Sequence, residues 1–404
     1  MTTYNLYRNG TKIASALTSP SYVDTGLTNG TAYSYQVSAV NNGVEGALSA
    51  AAIATPLPAG NNPSPIPPGY QTPLTAPFAA PTTTATVNVP LSIDSTGTSD
   101  VSAAMNAFVG GVPNGRIISF PASAIYRLDH GIQIANRSNL IFEGNGCTLK
   151  VGGGGLATDQ LASSFVLGHT YGGGWNNGVT DIIIRNFTLQ GNSTTPGVFH
   201  SGQEGQANLE ITGTTRVEIY NVTGSAAPGD FLFVELCNGV WMHDCHAITA
   251  GRNGVSVISG SNVLVERSAF DTSGYLTFDI EPNVVGDACS AITIRNNTAV
   301  IYGSGNEFFA LEGSHTGASI NGITITGNTI SGRSIKVVAD NGNTSRMLNV
   351  TFSGNTSTAA SVAGPVLTFA HIDTLVVQHN TQGLTTGSHI SATDCTSTTL
   401  TPNP

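Results

Sequence analysis

Residues 292–298 read ITIRNNT. Ile292 and Ile294 alternate with polar neighbours, which is the period of a half-buried strand, and the Arg-Asn-Asn run that follows ends it. The same shape returns along the chain: IIIRNFT from 182, VEIYNVT from 217, VWMHDCH from 240, VLVERSA from 263, ITITGNT from 323, VTFSGNT from 350 and LVVQHNT from 375. The first and third residues of every unit are apolar, and the units recur at intervals of 35, 23, 23, 29, 31, 27 and 25 residues. That spacing is the period of a solenoid whose loops differ in length. One unit cannot bury its own apolar face, whereas stacked coils bury a continuous column.

Asn297, Asn328, Asn355 and Asn380 each stand sixth in their unit. An asparagine repeated at a corner accepts the tight backbone there and can bond to its copies above and below. Between the units lies a second set of strands: DFLFVE (230–235), GVSVIS (254–259), LTFDIE (276–281), FFALE (308–312), IKVVAD (335–340) and LTFAH (367–371). Strands that recur in one direction each coil imply parallel stacking at roughly 4.8 Å. The expected architecture is an all-β, right-handed parallel β-helix.

Ahead of it, TSDVSAAMNAFVGG (98–111) has the apolar stripe of a helix, with Ser99 or Asp100 as N-cap, and such a helix is expected to cover the open end of the first coil. This segment, followed by GRIISFPASAIYRLDHGIQI and SNLIFEGNGCTLKV, resembles the N-terminal cap and opening coils of the pectate-lyase-like right-handed β-helix proteins. The resemblance covers residues 91–395 and implies a fold, not a chemistry.

Residues 1–57 carry short alternating strands with turn signals at Asn9-Gly10 and Asn29-Gly30. They resemble the second half of a fibronectin type III domain, in which Leu27 to Tyr33 has the spacing of a tyrosine corner. The first two strands of that family and their tryptophan have no counterpart, so a partial β-sandwich is expected. Residues 58–90 form a Pro/Thr/Ala spacer and 396–404 a flexible tail.

A net charge of −10 with only 14 Lys plus Arg disfavours nucleic acid as a partner. No apolar run is long enough to span a membrane, and MTTYNLYRNG is not a signal peptide. An extracellular setting, or a phage tail released by lysis, is consistent with both, and β-helices of the tail-spike kind are often homotrimers. The five cysteines have no zinc-site spacing and read as buried thiols, although Cys237 and Cys245 flank one strand and can be bridged.

The acids on the second strands carry the functional reading. In LTFDIE, Asp279 and Glu281 share one face while Phe278 and Ile280 take the other. Superposing the strands aligns Glu235, Ser259, Glu281, Glu312, Asp340 and His371 in one outward row, and Phe233, Val257, Asp279, Ala310, Val338 and Phe369 in the next. Glu281 and Glu312 then stand about 5 Å apart, within the range of carboxyl separations that glycoside hydrolysis uses. The expected catalytic set is Glu281 as acid, with Asp279 or Glu312 as base. Phe233, Glu235, Trp241, Tyr275, Lys336, Asp340 and His371 are expected to bind substrate, Trp241 and Phe233 by stacking on a sugar from an outward position.

The loop aromatics Tyr171, Trp175 and Tyr302 can add to that surface. The same acids admit a lyase, in which calcium held by Asp279 and Glu281 neutralises a uronate and Lys336, helped by Arg333, removes a proton. His243, Asp244 and His246 in WMHDCHAITAGRN offer a second acid/base or metal grouping. The paired-aspartate and His-Gly motifs of β-helix polygalacturonases have no matching segment. The reading is therefore a polysaccharide-binding, glycan-cleaving protein, with a calcium-assisted lyase and a non-catalytic phage-tail or surface adhesin as its rivals.

Overall fold

The computed structural model describes residues 2–18, 22, 24, 26–28, 31, 33–54, 85–152, 163–169, 178–200, 202, 205–300, 307–312, 317–331, 337–340, 346–357, 367–382 and 390–401. The side chains of residues 52–54, 307, 312, 337–340 and 382 lie outside that description. The chain divides into two units, Met1–Gly69 and Tyr70–Pro404.

The first unit is one five-stranded antiparallel sheet. Its first two strands, Thr3–Arg8 and Thr11–Leu17, are joined through Asn9 and Gly10, both at positive φ, which is the two-residue hairpin that an Asn-Gly pair favours. The Tyr33 hydroxyl accepts the N–H of Thr28 at 2.9 Å, tying the strand Tyr33–Asn41 to the turn before it. Among the described residues this unit holds the one sheet and no second sheet of a sandwich.

The second unit is a solenoid. Ten strands from Ile132–Ile134 to Ile390–Thr393 pair in parallel as one sheet, each with the strand one coil away. The remaining strands pair in parallel around the other sides. All sixteen apolar residues picked out by the repeat, from Ile182 and Ile184 to Leu375 and Val377, lie in one hydrophobic core. Their register is unbroken: Ile182, Val217, Val240, Val263, Ile292, Ile323, Val350 and Leu375 face one another in turn.

Corners are built from left-handed backbone. Leu236 turns the chain out of the ten-stranded sheet, and Asn186, Asn221, Asp244, Arg267, Asn296 and His379 turn it at the next corner. At that second corner the buried asparagines form a ladder. Asn328 donates Nδ2 to Oδ1 of Asn355 at 2.9 Å and to the Ile294 carbonyl at 3.1 Å, while its own Oδ1 accepts from the Asn297 backbone and side chain. Side-chain amides thus satisfy backbone groups that the tight turn withdraws from the sheets.

Helix α1 spans Ser102–Gly111 and sends Met105 and Val109 into the core. Its N-cap position is Val101, with no side-chain cap bond; Asp100, one residue earlier, accepts the Ser102 N–H at 3.0 Å. The expectation that the helix covers the open end of the first coil needs correction. The leading edge is met by the strands Thr86–Asn88 and Thr96–Asp100, which pair with Arg116–Ser119 and Ile125–Arg127. The helix lies against Ile132–Ile134, where Asn106 donates to the Gly131 carbonyl and accepts the Gln133 N–H.

All five cysteines are free, so Cys237 and Cys245 are not bridged. Burial pushes the thiols of Cys147, Cys245 and Cys289 up to about 12. No described helix is long and apolar enough to cross a membrane.

Candidate functional site

The strand Leu276–Ile280 delivers Phe278 and Ile280 to the core, so Asp279 faces outward from the ten-stranded sheet and Glu281 follows on the same side. Asp279 is nevertheless 2% exposed, because other polar groups pack over it. Asn253, fully buried, donates Nδ2 to Asp279 Oδ2 at 3.0 Å and to Ser256 Oγ at 2.9 Å; its Oδ1 accepts the Leu276 N–H. Its backbone N–H donates to Oδ1 of the buried Asp230.

Arg252 lies among three carboxylates. Its Nη2 is 3.3 Å from Asp279 Oδ2 and 3.7 Å from Glu281 Oε2, and its Nη1 is 3.6 Å from Asp230 Oδ2. Both acids touch the same nitrogen, so these two oxygens are at most about 7 Å apart, a separation compatible with glycoside hydrolysis. The guanidinium contacts both Asp279 and Glu281, the two acids expected to hold calcium. Among the described residues no group of three or more His, Cys, Asp and Glu is arranged to hold a metal ion.

The rims of this face are apolar. Tyr275 precedes the strand and stacks on Phe199, ring centroids 6.1 Å apart at 28°. Both rings stay open to solvent, at 48% and 38% exposure. The Tyr275 N–H donates to the Arg252 carbonyl, which fixes the aromatic pair beside the acids. Past the strand's other end, Val284 and Val285 are exposed on a loop closed by Asp287, whose Oδ2 accepts the N–H groups of Asn283 and Val284.

Further along the sheet Glu210 is buried and bonded to His169 at 2.6 Å and Ser163 at 3.2 Å. Phe233 lies beside Glu210 in register, and Glu235 ends that strand. Burial raises the Glu235 pKa above the ordinary carboxylate value; Asp287 and Glu210 raise it further, and His169 opposes them.

A second polar cluster lies on the adjoining sheet. His243 bonds to Asp244 at 2.7 Å and Glu218 at 3.0 Å, and Glu266 accepts from Arg267, Arg295 and Trp241. His246 points to a different partner, Asp271, at 2.7 Å. The histidines therefore do not converge on one centre as the sequence reading allowed. A cavity of about 470 Å³ opens at a corner lined by Thr180, Thr214, Thr215 and Asn238. Among the described residues its lining holds no carboxyl or imidazole.

No protein-family model matches the sequence, and no curated protein matches it. Solved structures do. The family 28 exopolygalacturonase of Yersinia enterocolitica superposes with a TM-score of 0.50 at 11% identity, over 99% of this chain and 94% of that one. The fold is the pectate-lyase-like parallel β-helix. An exopolygalacturonase from Thermotoga maritima (TM-score 0.49, 11% identity, 81% of this chain and 96% of that one) is also similar. So is a tailspike protein of E. coli bacteriophage HK620, solved with a pentasaccharide (TM-score 0.45, 12% identity, 76% and 60%).

The β-helix brings Asp279, Glu281, Phe233, Glu235 and Tyr275 onto one face, as expected. Glu312 follows Glu281 in register, since Ile280 pairs with Leu311, and Asp340 faces Glu312 in turn. The side chains of Glu312 and Asp340, and all of Lys336, Arg333, Tyr171, Trp175 and Tyr302, lie outside the described residues.

Five placements differ. Trp241 does leave the core column, but it is 2% exposed, packed on His243 and bonded to Glu266, so no face remains for a sugar. His371 occupies a left-handed corner near Asp394; the row of Asp340 continues into Ala370 instead. Within the inner row, Ser256 and Thr368 stand where Val257 and Phe369 were expected, and in the outer row Ile258 replaces Ser259. Each slip is one residue, which in a strand exchanges the core face for the open one. Asp230, Arg252 and Asn253 were missed. Their signal was present in the polar pair Arg252-Asn253 directly before an apolar strand.

Proposed function

We propose that the β-helix binds a polysaccharide along its ten-stranded sheet and depolymerises it by hydrolysis, with Glu281 at the point of cleavage, Glu312 next to it in the row, and the buried Asp279 behind them holding Arg252 in place. The observation that supports this is a guanidinium and two carboxylates set beside an exposed, stacked aromatic pair. Burial around Asp279 and Arg252 gives the charges a water-poor setting in which they act strongly. Tyr275 and Phe199 offer an apolar face to a sugar ring. Phe233 extends the same surface. The similarity of fold to polysaccharide-degrading proteins and to a tailspike solved with an oligosaccharide points the same way. It also suits a virion or extracellular setting and a glycan partner.

The test is a screen of capsular, cell-wall and plant polysaccharides for new reducing ends and for the absorbance of unsaturated uronates. Reducing ends without that absorbance, lost in an Asp279→Asn, Glu281→Gln variant, are expected. Unsaturated products that vanish with a chelator would replace hydrolysis by the calcium-assisted lyase. Binding with no cleavage would leave an adhesin.

A further inference from the structure

The strand register places a further acid opposite the Arg252 cluster. Val234 pairs with Val257, and Val257 with Ile280. The next residues along, Glu235, Ile258 and Glu281, therefore form one row, with Glu235 and Glu281 two strands apart. Two spacings put their backbones about 10 Å apart. Val234 before Glu235 is in the core, so Glu235 faces outward, partly buried at the strand end.

The surroundings of the two acids are opposite in sign. Glu281 has the Arg252 guanidinium beside it, 3.7 Å from Nη2 to Oε2. Glu235 feels negative charge from Asp287, on the loop that begins at Glu281, and from Glu210 on the preceding strand, with His169 opposing them. Burial and like charge favour its protonated form, as a proton donor needs. Carboxyls about 6.5–9.5 Å apart leave room for a water on the far side of the sugar.

Building on the hydrolase reading, we propose that Glu235 is the proton donor, that Glu281 is the base acting on water, and that cleavage inverts the anomeric carbon. Water attacks that carbon as the bond to the bridging oxygen breaks; the Glu235 proton passes to the leaving oxygen and Glu281 takes one from the water. This reverses the role that the sequence gave to Glu281 and makes Glu235 catalytic rather than only substrate-binding.

The test uses the polysaccharide that wild type cleaves fastest in the screen, and the 2,4-dinitrophenyl glycoside of the sugar at its cleaved bond. Glu235→Gln is expected to slow polysaccharide cleavage by at least ~100-fold, with little effect on the dinitrophenyl glycoside, whose leaving group needs no proton. Glu281→Gln is expected to slow both. Asp287→Asn, by removing a like charge, is expected to move the alkaline limb of the wild-type pH profile to lower pH. Proton NMR should show the first product with the inverted anomer. A Glu235→Gln enzyme with wild-type thermal melting that cuts the polysaccharide at full rate, or a retained anomer, overturns the assignment and leaves the depolymerase reading standing. Failure of wild type to cleave any polysaccharide in the screen removes both.

Discussion

Arg252 and Asp279 sit on successive coils, 27 residues apart in sequence, and meet at 3.3 Å between Nη2 and Oδ2. The arginine ends the loop that leads into one strand of the ten-stranded sheet, and the aspartate lies within the next strand. Replacing Arg252 with Met leaves Asp230 and Asp279 as buried carboxylates without their cation. Removal of one partner from such a pair costs about 3–5 kcal/mol when burial is complete. Loss of depolymerisation and a lowered urea midpoint are expected together; an unchanged midpoint would show that the pair does not hold the coils.

On the proposed reading the aromatic pair contributes to binding rather than chemistry. Tyr275→Ala or Phe199→Ala removes one ring of an exposed stack, a contact worth about 0.5–1.5 kcal/mol. The expected result is KM raised by roughly twofold to tenfold with kcat unchanged. Steady-state kinetics on the cleaved polysaccharide, or glycan-array binding, checks it.

In the asparagine ladder, Asn328→Ala withdraws the acceptor of the Asn297 N–H and two donors of its own. A buried donor left without its acceptor costs about 1–3 kcal/mol. Chemical denaturation of the variant beside wild type measures the loss.

The cluster around His243 gives stability a pH dependence. Burial works to lower the His243 pKa, but bonds to Asp244 and Glu218 more than offset it, and the value is raised. A raised histidine contributes fully below its unfolded value of about 6.5 and loses that contribution as pH rises through the folded one. Burial works to raise Asp244, yet His243 and Arg267 bring it down to about 2. Its contribution is present above about 4 and disappears as pH falls toward that value. His243→Gln should flatten the neutral-to-alkaline side of the stability curve and Asp244→Asn the acid side. Melting temperatures measured across pH decide both.

The coil was legible because an apolar pair with period two, repeated eight times, has one economical burial. Ile182 through Val377 needed no information beyond their spacing. The acid face was legible for the same reason: Phe278 and Ile280 fix where Asp279 goes. What spacing could not supply was the residue count of each corner. Leu236 and His371 turn in the left-handed conformation without the glycine or asparagine that marks such a bend. Hence His371 was counted as part of a strand. Nor does periodicity show what covers an outward side chain, so Trp241 was taken for open surface until Glu266 and His243 were seen against it. Arg252 belongs to a loop, where pattern gives no direction at all.

Coil length varies from unit to unit while the apolar pairs never lose step. All the variation is therefore exported to the edges, where the segments before Leu276 and after Ile280 frame the acids. Those margins behave as exchangeable fittings on a fixed spine. Grafting or randomising 271–275 and 282–287 would change the rim of that face without refolding the scaffold, and under the proposed function is expected to alter which sugar is gripped.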